Sequence, residues 1–381
     1  MATHGRPEGL HDNRLLSLLF VAIISLPLAA NLAGVDGGDP GAENRELAVF
    51  PHLERSWSSL ANFPAGFSGW FDDHFGFRSR LVRWYGESRL FVLHVSPSTA
   101  VIQGEHGWFF YGEDKSVEDY ANVEPMTDIA LANWRAAIVR AHDWLRARGI
   151  AYVFIIAPDK HVIYGDEMPA TLTRVGELSR ADQLFTALQD TGLAVDVRSA
   201  EFDAKARERV YQRTDTHWND RGALVAYQQI IGAVRARVPA TPAAWTRDDF
   251  IAADRTVEGF DLAGMMGLTR VLREVDLTLV PKRARRARVL EPAGAGAMDE
   301  VGRLVTEIDE PSLPRAVIFR DSFASRLAPF LSEHFSRAVY VWQNDFDAAL
   351  VEMEHPDVVI QEIVSRHLYN FIPSPELVPK P

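Results

Sequence analysis

Hydrophobic positions form a near-continuous run from Leu15 to Ala33 (LLSLLFVAIISLPLAANLA), close to the ~20 residues that cross a bilayer. Arg6 and Arg14 lie before it, and Asp36, Asp39 and Glu43 come just after. By the positive-inside tendency, residues 1–14 stay cytoplasmic and the remainder is exported. Two readings fit residues 15–34. An uncleaved signal-anchor accounts for the length, and a cleaved signal peptide accounts for the small residues Ala29, Ala30 and Ala33 near the end. The anchor is the preferred one. Residues 35–44 are rich in Gly and Asp, bury nothing and read as a linker. That leaves 45–375 for the exported domain.

Beyond the linker the pattern changes. An aromatic-rich stretch (Trp57, Phe63, Phe67, Trp70, Phe71) leads into Phe75–Leu93, where apolar residues recur every three or four positions, as in an amphipathic helix. Thr99–Tyr111 alternates around a central Gly, as in a hairpin. Helices are expected over 128–148, ended by Gly149; over 180–189, with Ser179 as cap; and over 219–238, capped by Asn219 or Asp220. Tyr152–Ala157, Leu193–Val197, Ala316–Phe319, Ala338–Val341 and Asp357–Ile360 are short apolar runs, as in strands covered on both faces. Strand and helix in alternation predict a mostly parallel sheet with helices on both sides. Residues 239–311 break this rhythm and read as an inserted segment of short strands and loops.

Composition narrows the function. A chain of 381 residues makes two domains, or one with a large insertion. Lys+Arg 40 against Asp+Glu 52 gives a formal charge of −12, which argues against a general nucleic-acid binder. Cys is 0, so disulfides, zinc–cysteine sites, iron–sulfur clusters and cysteine nucleophiles are excluded.

Two segments carry candidate chemistry. Ligands of an open parallel sheet bind beyond the carboxyl ends of its strands. There, VIFRDSF (Val317–Phe323) runs from a buried strand into Asp321-Ser322 and a helix-like segment. Ser322 at a helix start meets free N–H groups that favour developing negative charge; the plain alternative is that Asp321 or Ser322 only caps the helix. The second segment is RTDTHWN (Arg213–Asn219), just before a strong helix. Serine needs a base, commonly a histidine oriented by a carboxylate. Asp215 and His217, one residue apart, can share one loop, and Trp218 can shield the site from water. Alone, an Asp-x-His reads as an ordinary polar loop first, and it gains weight from falling, like Ser322, at an active end of the same sheet.

DTHW at 215–218 and FRDSF at 319–323, with FDDHFGFR at 71–78, VIQGEHGWFFY at 101–111, APDKHVIYGD at 157–166 and HPDVVIQE at 355–362, resemble the SGNH-hydrolase-like alginate O-acetyltransferase (AlgJ/AlgX-like) family. The resemblance runs in order over nearly the whole chain after the linker. It implies a flavodoxin-like three-layer α/β/α fold, with the Asp-His pair before the serine, the reverse of the usual SGNH order. Carried onto this chain, Ser322 is the nucleophile, His217 the base and Asp215 its orienting partner. The length matches the shorter, membrane-anchored AlgJ-type arrangement, without the carbohydrate-binding module of AlgX-type members. Arg-Asp replaces the Gly-Asp that precedes the serine in standard SGNH enzymes, which leaves the oxyanion hole open. The backbone N–H of Ser322 or Phe323 is the first candidate there, with Arg320, Gln343 and Asn344 as side-chain helpers.

The expected reaction is O-acetylation of a secreted polysaccharide in the periplasm. By the resemblance, the acetyl donor is a multi-spanning membrane O-acyltransferase partner, assisted by other proteins of the export machinery. The chemistry asks for no metal and no organic cofactor. The alternatives are an acetylesterase with the same site and a non-catalytic polysaccharide-binding scaffold. Lys160, His161 and Tyr164, after the 152–157 strand, are candidates to line the cleft. Lys282, Arg283, Arg285, Arg286 and Arg288 form a basic run that reads as a solvated loop before it reads as a polysaccharide contact. Asp72, Asp73 and His74 sit among aromatics and read as packing residues before metal ligands.

Overall fold

The computed structural model describes residues 10–34, 47–291 and 302–380; the linker expected at 35–44 lies outside them. The chain divides into two compact units, 1–98 with 259–272, and 99–258 with 273–381.

The larger unit is organised by a sheet that has seven strands among the described residues. They are β1 (Ala151–Ala157), β2 (Ala194–Asp196), β3 (Arg288–Glu291), β4 (Arg303–Glu307), β5 (Arg315–Arg320), β6 (Arg337–Trp342) and β7 (Val358–Val364). Their spatial order is β2-β1-β7-β5-β6-β4-β3. The first five pair in parallel, and β4 runs antiparallel to β6 and β3 to β4. AYVFIIA and VVIQEIV are rich in β-branched and aromatic residues, and successive side chains feed opposite faces. Val153, Ile155, Ile318 and Ile360 pack with Ala223, Tyr227 and Ile230 of the helix Asp220–Arg237. Tyr152, Phe154, Val317 and Val359 pack on the other side with Trp134 and Ile138 of the helix Asp128–Arg146. The expected three-layer α/β/α architecture is therefore present.

Counted with β5 as the first strand, the parallel core reads 2-1-3-4-5, the doubly wound flavodoxin-like order. The chain enters that cycle at its fourth strand, β1, so segments following β1 and β2 precede those following β5 in sequence. The order reverses between β5 and β7, and a crevice opens beyond strand ends at such a switch point.

Local signals behave as the sequence implies. Thr127 Oγ1 accepts from Ala130 N to start the first long helix, and Gly149, at φ +73°, follows its end. Ser179 and Asp182 form a reciprocal capping box, and Asn219 accepts from the N–H groups of Arg221 and Gly222. The segment 239–311 differs from a separate insertion. Phe250–Ala252 pairs with Leu279–Pro281 and Arg255–Glu258 with Arg273–Asp276, but β3 and β4 extend the main sheet. β4 is only five residues long, too short for its period to stand out against the flanking loops.

In the smaller unit, the helix Leu10–Leu32 contains an apolar stretch, Arg14–Asn31, of mean hydropathy 1.8, long and apolar enough to cross a membrane. The aromatic stretch is itself a helix, Trp57–His74, started by Ser56 accepting from Ser59 N. The helix expected over Phe75–Leu93 begins only at Arg78, because Phe77 takes a left-handed conformation (φ 64°) that breaks the turn. Asp73 accepts from Ala48 N at 2.7 Å and His74 stacks on Trp70, which is the packing role.

The short helix Arg198–Lys205 buries Glu201 completely, and neither carboxyl oxygen reaches a hydrogen-bond partner. Burial pushes this carboxyl well above its ordinary range, so the folded protein holds it protonated. The unfolded chain releases that proton above about pH 4.3. Stability therefore falls as pH rises beyond that point, by up to about 1.4 kcal/mol per pH unit, until the folded-state group itself ionises. We expect Glu201→Met to be more stable than wild type at about pH 8 and to lose that advantage toward about pH 4. Urea midpoints at the two pH values check this; a gain independent of pH would contradict it.

Candidate active site

β5 ends at Arg320, and the chain turns through Asp321-Ser322-Phe323 into the helix Ala324–Leu331. Phe323 is the residue flanking that helix, with no side-chain cap bond, so Ser322 is not spent as a cap. Instead the buried Asp321 braces the turn. Its Oδ1 accepts from Phe323 N at 2.9 Å, and its Oδ2 accepts from Val364 N, at the end of β7, at 2.7 Å. His367 Nδ1 lies 3.3 Å from the same Oδ2. Burial opposes ionisation of Asp321, but His367 and the two N–H groups outweigh it and hold the carboxyl below its usual range. Directly beneath, Glu362 of β7 accepts from Asp321 N at 3.1 Å. Burial and the Asp321 charge push Glu362 well up. Ser322, half-buried, rides on this braced turn.

The second element is the loop that ends at Asn219. Its backbone is fastened from below by Lys160, which follows β1: Nζ donates to the carbonyls of Gln212, Arg213 and Asp215 at 3.1, 3.2 and 2.6 Å. It is fastened laterally by Glu274, which accepts from Thr214 N and Oγ1, and by Asp276, which accepts from Gln212 Nε2. Asp215 and His217 face each other across this loop with Oδ1 and Nδ1 2.8 Å apart. Burial opposes ionisation of Asp215 too. The hydrogen bond and charge of His217, then Arg326, outweigh it and hold Asp215 well below the usual carboxylate range. Arg326 Nη2 sits 3.6 Å from Asp215 Oδ2.

The two elements meet at Phe323. Trp218 Nε1 donates to Phe323 O at 3.0 Å, and the His217 ring lies 5.0 Å from the Phe323 ring. The acid–histidine pair is thereby packed against the residue next to Ser322, at the switch point of the sheet. A carboxylate that holds Nδ1–H leaves Nε2 as the basic nitrogen, which is the arrangement proton transfer from a serine needs.

Other expected residues take different places. Lys160 is buried beneath the loop it fastens, so it is a loop anchor and not a cleft-lining side chain. Tyr164 is buried too, stacked 4.1 Å from Trp108 with its hydroxyl accepting from Val210 N. His161 is buried against Asp119, with Nε2 2.9 Å from Oδ2. Trp218 is fully buried. Phe323 N–H donates to Asp321 Oδ1. Arg320 is buried, with Nη1 donating to Asp321 O and Ser325 Oγ and its guanidinium 4.5 Å over Trp342. Gln343 and Asn344 are half-exposed after β6, and the Gln343 side chain is turned to Asp345 O. In the basic run, Arg286 pairs with Glu310 and Arg285 with the Pro329 carbonyl.

Glu362, Arg366, His367 and Arg326 were not legible as members of this site. The first three belong to β7 or follow it, so the carboxyl end of that strand is the sequence signal for them. Arg366 pairs with Asp159 at 2.5 Å and lies 5.6 Å over the Phe323 ring. Among the described residues of the larger unit, Asp119, Asp159 and His161 place ligand-type atoms within 4.8 Å of one another. Both Asp159 oxygens and Asp119 Oδ2 are engaged by Arg366, Ser365 and His161, as in a salt-bridged network, while Asp119 Oδ1 is buried without a hydrogen-bond partner.

Residues 101–354 match the model of a family described as the SGNH hydrolase-like domain of the acetyltransferase AlgX. The chain is 33% identical over 153 residues to the probable alginate O-acetylase AlgJ of Pseudomonas putida, covering 38% of this chain and 36% of that one. It is 30% identical over 154 residues to the corresponding protein of Pseudomonas syringae pv. tomato, covering 39% and 37%. The matched segments thus span little more than a third of the curated relatives. The structure of Bacillus cereus PatB1 with a sulfonyl adduct superposes with a TM-score of 0.52 at 13% identity, covering 70% of this chain and 97% of that one.

Proposed function

Because the chain belongs to the family of SGNH hydrolase-like acetyltransferase domains typified by AlgX, we propose that it is a polysaccharide O-acetyltransferase that works through an acetyl-serine at Ser322. The observation that carries this reading is the Asp215–His217 pair, bonded at 2.8 Å and packed against Phe323 beside the serine.

In the first half-reaction, His217 Nε2 takes the proton of the Ser322 hydroxyl as Oγ attacks the acetyl carbonyl. Asp215 holds the ring with Nδ1 protonated and stabilises the imidazolium. The tetrahedral oxyanion is met by Ser322 N–H at the head of the 324–331 helix. Collapse transfers the imidazolium proton to the departing donor and leaves acetyl-serine. In the second half, His217 deprotonates a sugar hydroxyl, which attacks the acetyl carbon, and the proton returns to Oγ as the ester is released. Water in place of the sugar gives acetate, so the outcome depends on what fills the site.

The setting we propose is the outer side of the cytoplasmic membrane, with the 14–31 helix as anchor. A multi-spanning membrane O-acyltransferase supplies acetyl groups, since acetyl-CoA is not available there. Alginate is the acceptor to test first, because both relatives are named for its acetylation. The full chain is incubated with an activated acetyl ester and oligomannuronate, and acetylated sugar and free acetate are quantified. The expected result is acetate that falls, and acetyl-sugar that rises, as acceptor is added. Acetate release indifferent to the acceptor would make the protein an esterase.

A further inference from the structure

Beyond its spanning helix, the smaller unit exposes apolar side chains that its own packing does not use. Trp57 is 87% exposed, Trp84 68% and Val92 72%, with Leu60, Tyr85 and Leu93 also more than half exposed. Patches of this kind on a protein in water mark a surface that meets something else. Arg55, Arg80 and Arg83 are exposed along the same stretch. Trp and Tyr gather where hydrocarbon gives way to headgroups, and Arg reaches from that depth toward phosphates.

Two hydrogen bonds within the unit place one point of this surface, residues 74–76, against the apolar helix. Gly76 N donates to Pro27 O at 3.0 Å, and Asn31 Nδ2 donates to His74 O. The approach is close: a Cβ at Gly76 would lie 2.4 Å from the Ala30 Cβ, so only glycine fits. Residues 74–76 therefore sit level with Pro27–Asn31, the last turn of the apolar stretch Arg14–Asn31. At 1.5 Å per residue those 18 residues span about 27 Å, close to the ~30 Å hydrocarbon core. The aromatic helix ends, and the helix Arg78–Glu87 begins, at the level where the spanning helix leaves the bilayer.

We propose that residues 53–95 form a membrane-surface module, with Trp57, Trp84 and Val92 seated in the outer interface of the bilayer that the 14–31 helix crosses. The bilayer is favoured over a protein partner because the patch is continuous with the spanning helix and pairs interfacial aromatics with arginines. The inference rests on the proposed anchoring. It gives that anchoring a consequence: an acetyltransferase held at the membrane by a second contact keeps its exported unit near a membrane-bound source of acetyl groups.

The chain has no cysteine, so single spin labels can be placed without background. Full-length Trp57→Cys, Trp84→Cys and Val92→Cys variants are labelled and reconstituted in phosphatidylcholine–phosphatidylglycerol vesicles. Ile24→Cys, in the spanning helix, and Ile129→Cys, 76% exposed in the larger unit, are references. Label accessibility to oxygen and to a water-soluble nickel chelate is compared, with circular dichroism confirming the fold of each variant. The expected oxygen-to-nickel ratio at 57, 84 and 92 exceeds that at 129 and falls below that at 24. A ratio at the three positions equal to that at 129, with 24 in lipid, overturns the module and leaves the anchor standing. Shielding from both reagents points to a protein partner and also overturns it. Nickel access at 24 overturns the anchoring on which the inference stands.

Discussion

Ser322→Ala is expected to remain folded and to lose acetyl transfer by at least roughly 10³-fold, because it removes the atom that carries the acetyl group between donor and acceptor. The side chain is half-buried and is not the helix cap, so its loss opens no large cavity and strips no cap. Thermal unfolding should therefore move by little more than ordinary surface substitutions do. A coincident loss of activity and of melting temperature would instead mean that the turn, and not the nucleophile, had failed. Full activity in a folded Ser322→Ala protein would leave the chain a scaffold for chemistry done elsewhere.

Asp215→Asn is expected to lower the acetylation rate by on the order of 10³–10⁴ with the loop still in place. The amide can present its NH2 group to Nδ1, which then becomes the acceptor nitrogen and leaves Nε2 carrying the proton. That tautomer cannot take a proton from Ser322. The bonds made by Lys160 and Thr214 do not involve the Asp215 carboxylate and hold the loop, while the bond from His217 N to Asp215 Oδ1 at 3.1 Å is a backbone contact that the substitution alters. Arg326 loses one counter-charge but keeps Asp220, 3.2 Å away. The signature is a fall in kcat with the KM for an acetyl ester nearly unchanged, measured beside the melting temperature. A rise in KM alone would assign Asp215 to binding.

Much of this site could be read from the chain because its parts are local. A buried strand running into Arg320-Asp321-Ser322 and an Asp-x-His ahead of an Asn-capped helix are short patterns whose physics does not depend on distant residues. The supports were hidden because they are remote. Glu362 lies 41 residues from Asp321 and meets it only because β7 slots beside β5. That neighbour relation belongs to the strand order. Lys160 was misplaced for a related reason. A lysine after a strand is normally solvent-facing, and its burial here follows from three carbonyls that a later loop brings over it. The helix Trp57–His74 was obscured by Pro64, Gly66 and Gly69, which weaken a helical pattern locally, although Phe63, Phe67, Trp70 and Phe71 keep helical spacing.

The fold also explains the reversed order of the site residues. Since the chain enters the doubly wound cycle at β1, the loop bearing Asp215 and His217 is made before the strand that leads to Ser322, and that loop packs on Phe323 beside the serine.

The most direct measurement is intact-protein mass spectrometry of the full chain in detergent or nanodiscs after exposure to an activated acetyl ester, followed by peptide mapping. The account predicts one added acetyl group on Ser322, absent from Ser322→Ala and discharged when an acceptor polysaccharide is added. An acetyl group mapped to another residue, or turnover by folded protein with Ser322 replaced, would contradict it.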